Sequence, residues 1–167
     1  MFYFEFIKNK KVMKSSVLKG LEHFFTTRES IIKTKEYSYE QLAYDNRKDF
    51  CEYYHINRII SPKQTHSSNV CIVSDNVFEY PETDGLVLTK QGALALNFAD
   101  CTPLIFFDDK IAAVSHAGWR GTAAKIAQKT IDIMVNELNS KVENINFSLE
   151  KKGIINNSDL ETSYESD

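Results

Sequence analysis

A chain of 167 residues with 43% hydrophobic and 26% charged residues has an ordinary globular composition, long enough for one core but too short for two comfortable domains. The net charge of −3 supplies no large positive field, which argues against nucleic acid or an anionic membrane as a partner. We therefore expect one domain over residues 1–149 and a polar, poorly ordered tail over residues 150–167.

The N-terminus and the cysteines indicate the compartment. Residues 1–7 are apolar but include Glu5, without a basic segment or a cleavage site of small residues, and no apolar run approaches the length that spans a membrane. Three cysteines at unrelated spacings do not form a disulfide framework and fit a reducing environment. We expect a cytoplasmic protein in which any special cysteine is a metal ligand or a nucleophile.

The first half of the chain predicts strands around one helix. Aromatic and β-branched residues over 2–7 and 12–18 predict a hairpin, and residues 23–28 predict another short strand. Apolar residues at helical spacing predict a helix over 39–54. Residues 57–74 indicate two further strands joined by a polar stretch.

The second half predicts the centre of a sheet and a second helix. After a loop, four strand-like segments follow in quick succession, over residues 85–89, 93–99, 104–107 and 111–115. Apolar residues at helical spacing from Ala123 to Leu138 predict a helix over 122–138, and residues 145–149 predict one more strand. This order of elements predicts an α+β fold, a layered mixed β-sheet with flanking helices.

Cys101 and His116 are candidates for a reactive site at the open end of a hairpin. They lie 15 residues apart on two predicted strands that a turn at residues 108–110 connects, so antiparallel pairing would bring them together. Strand alternation would place Asn97 and Cys101 on one face and turn Asp100 away from it. We therefore expect Asp100 to anchor the turn or support the site rather than to act as a general acid.

His66 is the obvious third member, since it lies where a strand runs out into a polar loop, with Gln64 two residues earlier on the same face. Two imidazole nitrogens and one thiolate are ligand types that zinc accepts, and three ligands leave a fourth position open for water or substrate. The spacing lacks a short ligand signature, so a metal site and three satisfied core residues are both open interpretations.

Residues 118–121, Gly-Trp-Arg-Gly, lie at the start of the predicted second helix. Free backbone N–H groups at such a position favour an anion, and Arg120 adds a bidentate donor for phosphate or carboxylate. The alternative is a tight turn in which Trp119 fills the core.

Four motifs stand out in chain order: Gln64-Thr65-His66, Thr83-Asp84-Gly85-Leu86-Val87-Leu88-Thr89, Ala99-Asp100-Cys101-Thr102-Pro103 and His116-Ala117-Gly118-Trp119-Arg120-Gly121. Together they resemble the motifs of the laccase-domain family of purine nucleoside phosphorylases, which has also been labelled multicopper polyphenol oxidase. The resemblance implies zinc-dependent phosphorolysis of adenosine, inosine and methylthioadenosine, together with adenosine deamination. It implies that His66, Cys101 and His116 hold the catalytic metal, and that Arg28, Gln64 and Arg120 contact the nucleoside and phosphate.

Two departures from the family pattern bear on activity. The Gly-Gly turn usual after Arg28 is absent, and a polar tail replaces the family's C-terminal portion, so we expect a C-terminally truncated member. A truncated, inactive binding remnant is therefore one alternative.

A second enzyme class is the other alternative. The Cys-then-His pair also resembles the deamidating cytotoxic necrotizing factor toxins, which share this fold; Cys101 would then be the nucleophile and His116 its base, without metal. His66 argues against this reading, because a cysteine hydrolase needs no third ligand. Copper is less favoured than zinc, since a multicopper site requires more histidines than the four in the chain.

Overall fold

The computed structural model describes residues 1–34 and 37–149, apart from the side chain of Leu149, so the predicted tail over 150–167 lies outside the described residues. The described chain forms two compact units, Met1–Arg58 and a second unit that begins at Ile59. The single domain expected over residues 1–149 stays a prediction. In the described part of the chain, every helix is too short or too polar to cross a membrane.

The first unit is built on a three-stranded antiparallel sheet in the order β1-β2-β3. Its strands are β1 (Phe2–Ile7), β2 (Lys10–Ser15) and β3 (Phe25–Thr26). β1 pairs with β2 along its whole length, from Phe2 opposite Ser15 to Ile7 opposite Lys10, which confirms the predicted hairpin. The third strand is shorter than predicted.

One helix, α1 (Glu40–Tyr53), follows a 3₁₀ turn at Tyr37–Tyr39 and confirms the predicted helix. Its buried face consists of Ala43, Asn46 and Phe50. The Asn46 side chain donates hydrogen bonds to the backbone carbonyls of Glu29 at 3.0 Å and Ile31 at 2.8 Å. The helix therefore fixes the segment that follows β3.

The second unit contains a five-stranded sheet in the order β10-β8-β9-β6-β5. The strands are β5 (Val70–Ile72), β6 (Gly85–Leu88), β8 (Thr102–Phe107), β9 (Ala112–Ala117) and β10 (Asn146–Leu149). β5 and β6 run parallel, whereas the other neighbours are antiparallel. The sheet is mixed, as the α+β prediction requires.

Two short parallel strands, β4 (Ile59–Ile60) and β7 (Ala93–Leu94), form a separate two-stranded sheet. The prediction of a central strand over 93–99 is therefore wrong. β6 already has β5 and β9 as neighbours, so β7 pairs with β4 instead, and the backbone N–H of Ala95 adds a last hydrogen bond to Ile60 at 2.8 Å. Residues 95–101 then continue without regular secondary structure.

The predicted helix over 122–138 is broken into α2 (Trp119–Ala123), α3 (Ile126–Asp132) and a π-helical turn at Ile133–Glu137, followed by a 3₁₀ turn at Val142–Asn144. The break lies at Lys125, which has a left-handed conformation with φ 62°. Because lysine is a good helix former, its side chain gave no sign of the break.

The core of the second unit lies where α3 covers the sheet. Val87, Leu104, Phe106, Ile126 and Met134 are all at most 4% exposed and belong to one buried cluster. Every residue of β6 is buried, which explains its unbroken apolar sequence. The candidate site lies at one end of the three central strands, where β6 and β8 begin and β9 ends.

Candidate metal centre

Cys101 and His116 meet at the open end of the β8–β9 hairpin, as the sequence predicts. Thr102 lies opposite Ala117 and Pro103 opposite His116, so Cys101 directly precedes the paired residues. The short connection between the strands holds this register, and with it the proximity of the thiol and the imidazole.

Cys101 reaches this position on a loop and not on a strand. The predicted alternation of Asn97, Cys101 and Asp100 between two faces is therefore wrong, because residues 95–101 have no strand geometry. Asp100 is exposed, and its negative charge acts on the neighbouring thiol.

His66 completes a group of three possible metal ligands. One ligand atom each from His66, Cys101 and His116 lies within 4.8 Å of the other two. The two imidazole rings meet edge to face, with their centroids 4.9 Å apart. His66 is exposed, Cys101 half-buried and His116 buried, so the group opens to solvent on the His66 side.

Asp84, immediately before β6, contacts the segments that carry His66 and His116. Its buried carboxylate accepts hydrogen bonds at Oδ1 from Nδ1 of His116 (2.8 Å) and from the backbone N–H of His66 (3.1 Å). Oδ2 accepts from the backbone N–H of Thr65 at 3.1 Å. The backbone N–H and hydroxyl of Ser67 add hydrogen bonds to Oδ2 at 2.7 and 2.8 Å.

Sequence reasoning missed the role of Asp84, which it placed within a motif without a function. The available signal was a carboxylate directly before a wholly apolar strand. A charge in such a position is buried, and burial demands hydrogen-bonding partners.

The backbone at His66 is held in an unfavourable conformation. Its φ of 62° lies in the left-handed region, which costs a residue other than glycine about 1–2 kcal/mol. Three successive backbone N–H groups, from Thr65 to Ser67, converge on the Asp84 carboxylate and offset this cost. The imidazole therefore projects from a loop whose shape one carboxylate determines.

The charges of the metal-free site favour an ionised Asp84 and a neutral Cys101 thiol. Burial acts to raise the pKa of Asp84, but hydrogen bonds, first from His116 and then from Ser67 and backbone N–H groups, outweigh it and hold that pKa below its usual range. Burial, and then the charges of Asp100 and Asp84, raise the pKa of the Cys101 thiol. A bound cation would reverse this last effect by stabilising the thiolate.

Gly118 allows the start of α2 to approach two of the ligands. A Cβ atom at this position would lie 3.0 Å from Cδ2 of His66 and 3.2 Å from Sγ of Cys101. The backbone has φ −73° and ψ 173°, which any residue adopts, so the glycine is required for space and not for conformation.

The predicted substrate contacts lie in different places. Gln64 is tied to the backbone of Asn97, donating to its carbonyl at 2.7 Å and accepting from its N–H at 2.8 Å. This double contact fastens the loop that leads to Cys101. Arg120 is exposed on α2, and Arg28 is exposed in the first unit. Substrate binding by Arg28, Gln64 and Arg120 stays a prediction.

Trp119 does not fill the core, because its side chain is 77% exposed. The neighbouring Gly118 and Gly121 are buried, so the turn packs through its glycines and presents Trp119 outward. The Arg120 guanidinium carbon lies 5.2 Å from the centroid of the Trp119 ring, a cation–π contact.

The donor set fits a zinc ion. Bond lengths of about 2.0–2.3 Å place two ligand atoms of a tetrahedral zinc ion roughly 3.3–3.8 Å apart, so the observed spread of up to 4.8 Å needs a contraction of about 1 Å. The exposed His66 ring has room for such a movement. Within residues 1–34 and 37–149, no other group of three or more histidine, cysteine and acidic side chains is arranged to hold a metal ion.

Most of the chain is similar in sequence to known proteins. A family model described as multi-copper polyphenol oxidoreductase laccase matches residues 22–150. Adenosine deaminase RL5, from an unknown prokaryotic organism, is 34% identical over 94 residues, which cover 49% of this chain and 36% of that protein. Purine nucleoside phosphorylase CA_C1699 of Clostridium acetobutylicum is 33% identical over 104 residues, covering 60% of this chain and 44% of that protein.

A solved structure shares the fold. The hypothetical protein YfiH of Bacillus licheniformis superposes with a TM-score of 0.64 at 27% identity, over 72% of this chain and 50% of that chain. This chain covers less than half of the length of the two curated relatives described above.

Proposed function

The chain belongs to the multi-copper polyphenol oxidoreductase laccase family, and from this premise we propose that it carries the metal site of a zinc-dependent purine nucleoside phosphorylase that also deaminates adenosine. The reaction types follow the names of the two relatives, one an adenosine deaminase and the other a purine nucleoside phosphorylase. The substrates are adenosine, inosine and methylthioadenosine, with phosphate as the second substrate for phosphorolysis.

One observation supports the proposal above the others: a thiol and two imidazoles from three separate segments have ligand atoms within 4.8 Å of one another. His66, Cys101 and His116 would hold the ion, and the solvent-facing side of the group would leave one coordination position for water or substrate. When bound, zinc supplies Lewis acidity that lowers the pKa of water and polarises a substrate oxygen or nitrogen.

The remaining side chains would bind and orient the substrates. Arg120, exposed two residues after Gly118, offers two parallel donors to phosphate. Gln64 holds the loop before Cys101 in place through Asn97. We retain Arg28 as a substrate contact from the family resemblance.

Zinc is preferred over copper on the chemistry of the donors. A multicopper oxidase site joins several histidine-rich groups, whereas His23 already uses both ring nitrogens in contacts with Ser15 and Leu21. One mixed histidine–cysteine group with an open position is typical of a catalytic zinc site.

The test compares the wild type with Cys101→Ser, and with Cys71→Ser as a control in the same unit. Each protein is analysed for bound metal and incubated with adenosine, inosine or methylthioadenosine in the presence of phosphate, and bases and sugar phosphates are separated by chromatography. We expect stoichiometric zinc and products from the wild type and Cys71→Ser, and neither from Cys101→Ser. Equal product from all three proteins would remove Cys101 from the mechanism.

A second candidate function is a metal-free cysteine hydrolase. It is favoured by the spatial arrangement of three side chains, in which the Asp84 carboxylate orients the His116 imidazole next to the Cys101 thiol. The raised pKa of the Cys101 thiol argues against it, since a nucleophilic cysteine requires a thiolate. Activity that survives a chelator and is lost on alkylation of Cys101 would favour this second function.

A further inference from the structure

We propose that Asp84 is the positioning residue of the metal centre: one buried carboxylate fixes both the tautomer of His116 and the backbone from which His66 projects. The inference rests on the proposed metal site. Asp84 contacts neither substrate nor metal in this account and acts through the two histidines.

The first step concerns the ring of His116. Oδ1 of Asp84 lies 2.8 Å from Nδ1 of that ring. The same carboxylate accepts three backbone N–H groups, which can only donate, so both of its oxygens act as acceptors. Nδ1 therefore carries the proton, and Nε2 keeps the lone pair that a metal ion needs.

The second step concerns the loop that carries His66. The N–H groups of Thr65, His66 and Ser67 all point at Asp84, at distances of 2.7–3.1 Å. These hydrogen bonds hold the left-handed backbone at His66. Loss of the carboxylate would free that backbone to relax and move the ring away from Cys101.

The third step is that Asp84 is itself fixed by the sheet. Its backbone carbonyl accepts from the N–H of His116 at 2.7 Å, and its own N–H donates to the carbonyl of Asn69 at 3.0 Å. Gly85 then begins β6, which lies between β5 and β9. Two ligands from different segments thus share one acceptor that the centre of the sheet holds in place.

Asp84→Asn tests the inference with little change in volume. The amide places an NH₂ group where one carboxylate oxygen stood. Both oxygens of Asp84 accept hydrogen bonds, so in either orientation of the amide this NH₂ group faces other donors. If the NH₂ faces His116, the ring must accept at Nδ1 and protonate Nε2; if it faces Thr65 and Ser67, the loop is displaced. Either outcome weakens metal binding.

Asp108→Asn is the matched control. Asp108 lies at the other end of the β8–β9 hairpin and accepts hydrogen bonds from the N–H groups of Lys110 and Ile111, both at 2.8 Å, and from the hydroxyl of Ser140 at 2.6 Å. Its replacement removes a structural carboxylate from the same unit without touching the ligands. Thermal unfolding of the metal-free proteins compares the two variants for stability.

The first readout is zinc affinity from competition with a chromophoric chelator. We expect Asp84→Asn to bind zinc roughly 10–100-fold more weakly than the wild type, and Asp108→Asn to stay within about threefold of the wild type, as for a change remote from the ligands. Equal affinity of the wild type and Asp84→Asn would overturn the inference. Absence of zinc binding by the wild type would instead overturn the proposed function.

The second readout does not depend on metal, and its decisive result comes from the wild type. Long-range ¹H–¹⁵N NMR of the metal-free wild type, at a pH of about 8 where an ordinary histidine is neutral, reports which nitrogen of His116 carries the proton. We expect Nδ1 in the wild type, with loss of this tautomer or of the His66 loop conformation in Asp84→Asn. Protonation of Nε2 in the wild type would overturn the inference.

Discussion

The replacement Gly118→Ala adds one methyl group directly against two of the proposed ligands. The new Cβ would lie 3.0 Å from Cδ2 of His66 and 3.2 Å from Sγ of Cys101. Carbon atoms in favourable contact lie about 3.5–4.0 Å apart, so the His66 ring and the Cys101 thiol each have to give way by a few tenths of an ångström. Zinc requires the ligand atoms to draw together by about 1 Å from a spread of up to 4.8 Å. Because the added methyl group would restrict that movement in two of the three ligands, we expect zinc affinity to fall about tenfold, or about 1.4 kcal/mol.

The same replacement has little effect on the fold. The backbone conformation at Gly118 is extended and suits alanine, and such a change alters the free energy of unfolding by only about 0.4–1 kcal/mol. The assay is a chelator competition for zinc beside thermal unfolding of the metal-free protein. Thr122→Ala, an exposed position on α2, is the control. Unchanged zinc affinity in a folded Gly118→Ala protein would refute the placement of the ligands.

Three further predictions concern the surroundings of the site and the core. Gln64→Ala removes two exposed hydrogen bonds to the Asn97 backbone, and we expect the free energy of unfolding to fall by about 0.5–1.5 kcal/mol, measured by urea denaturation; no loss would show that the double contact contributes nothing. The depressed pKa of Asp84 contributes stability above the ordinary aspartate pKa, so the stability difference between wild type and Asp84→Asn, both metal-free, should shrink as pH falls below about 4; a constant difference from neutral to acid pH would contradict this. Phe106→Ala, at a side chain only 1% exposed, should cost about 3–5 kcal/mol, whereas Phe147→Ala, 52% exposed on the same stacked pair, should cost far less; equal losses would disprove the assigned core.

Much of the fold followed from local patterns. The β1–β2 hairpin and α1 were predictable because alternation and helical spacing report on neighbours close in the chain. The β8–β9 hairpin was predictable for the same reason, and it carried the correct prediction that Cys101 and His116 meet.

The errors arose where distant segments decide the structure. The pairing of β7 with β4 depends on a strand more than thirty residues earlier, and it left Cys101 on a loop instead of a strand. The break at Lys125 opposes that residue's helix propensity, so packing decides it. The alternative in which Trp119 fills the core is wrong, and nothing local shows that its flanking glycines would be buried in its place.

The candidate site was predictable as a set of residue types but not as a geometry. His66 was found by its chemistry and by the family resemblance, since it lies 35 residues before Cys101. Asp84 was missed because its role depends on hydrogen bonds to segments on both sides of it in the chain. Such a carboxylate is recognised only when the surrounding loop is seen.

X-ray absorption at the zinc edge of the metal-loaded protein tests the account most directly. His66, Cys101 and His116 as ligands require one sulfur at about 2.3 Å and two imidazole nitrogens at about 2.0–2.1 Å, with a further light atom in the fourth position. A spectrum without a sulfur contribution, or with one that persists in Cys101→Ser, would contradict the proposed centre.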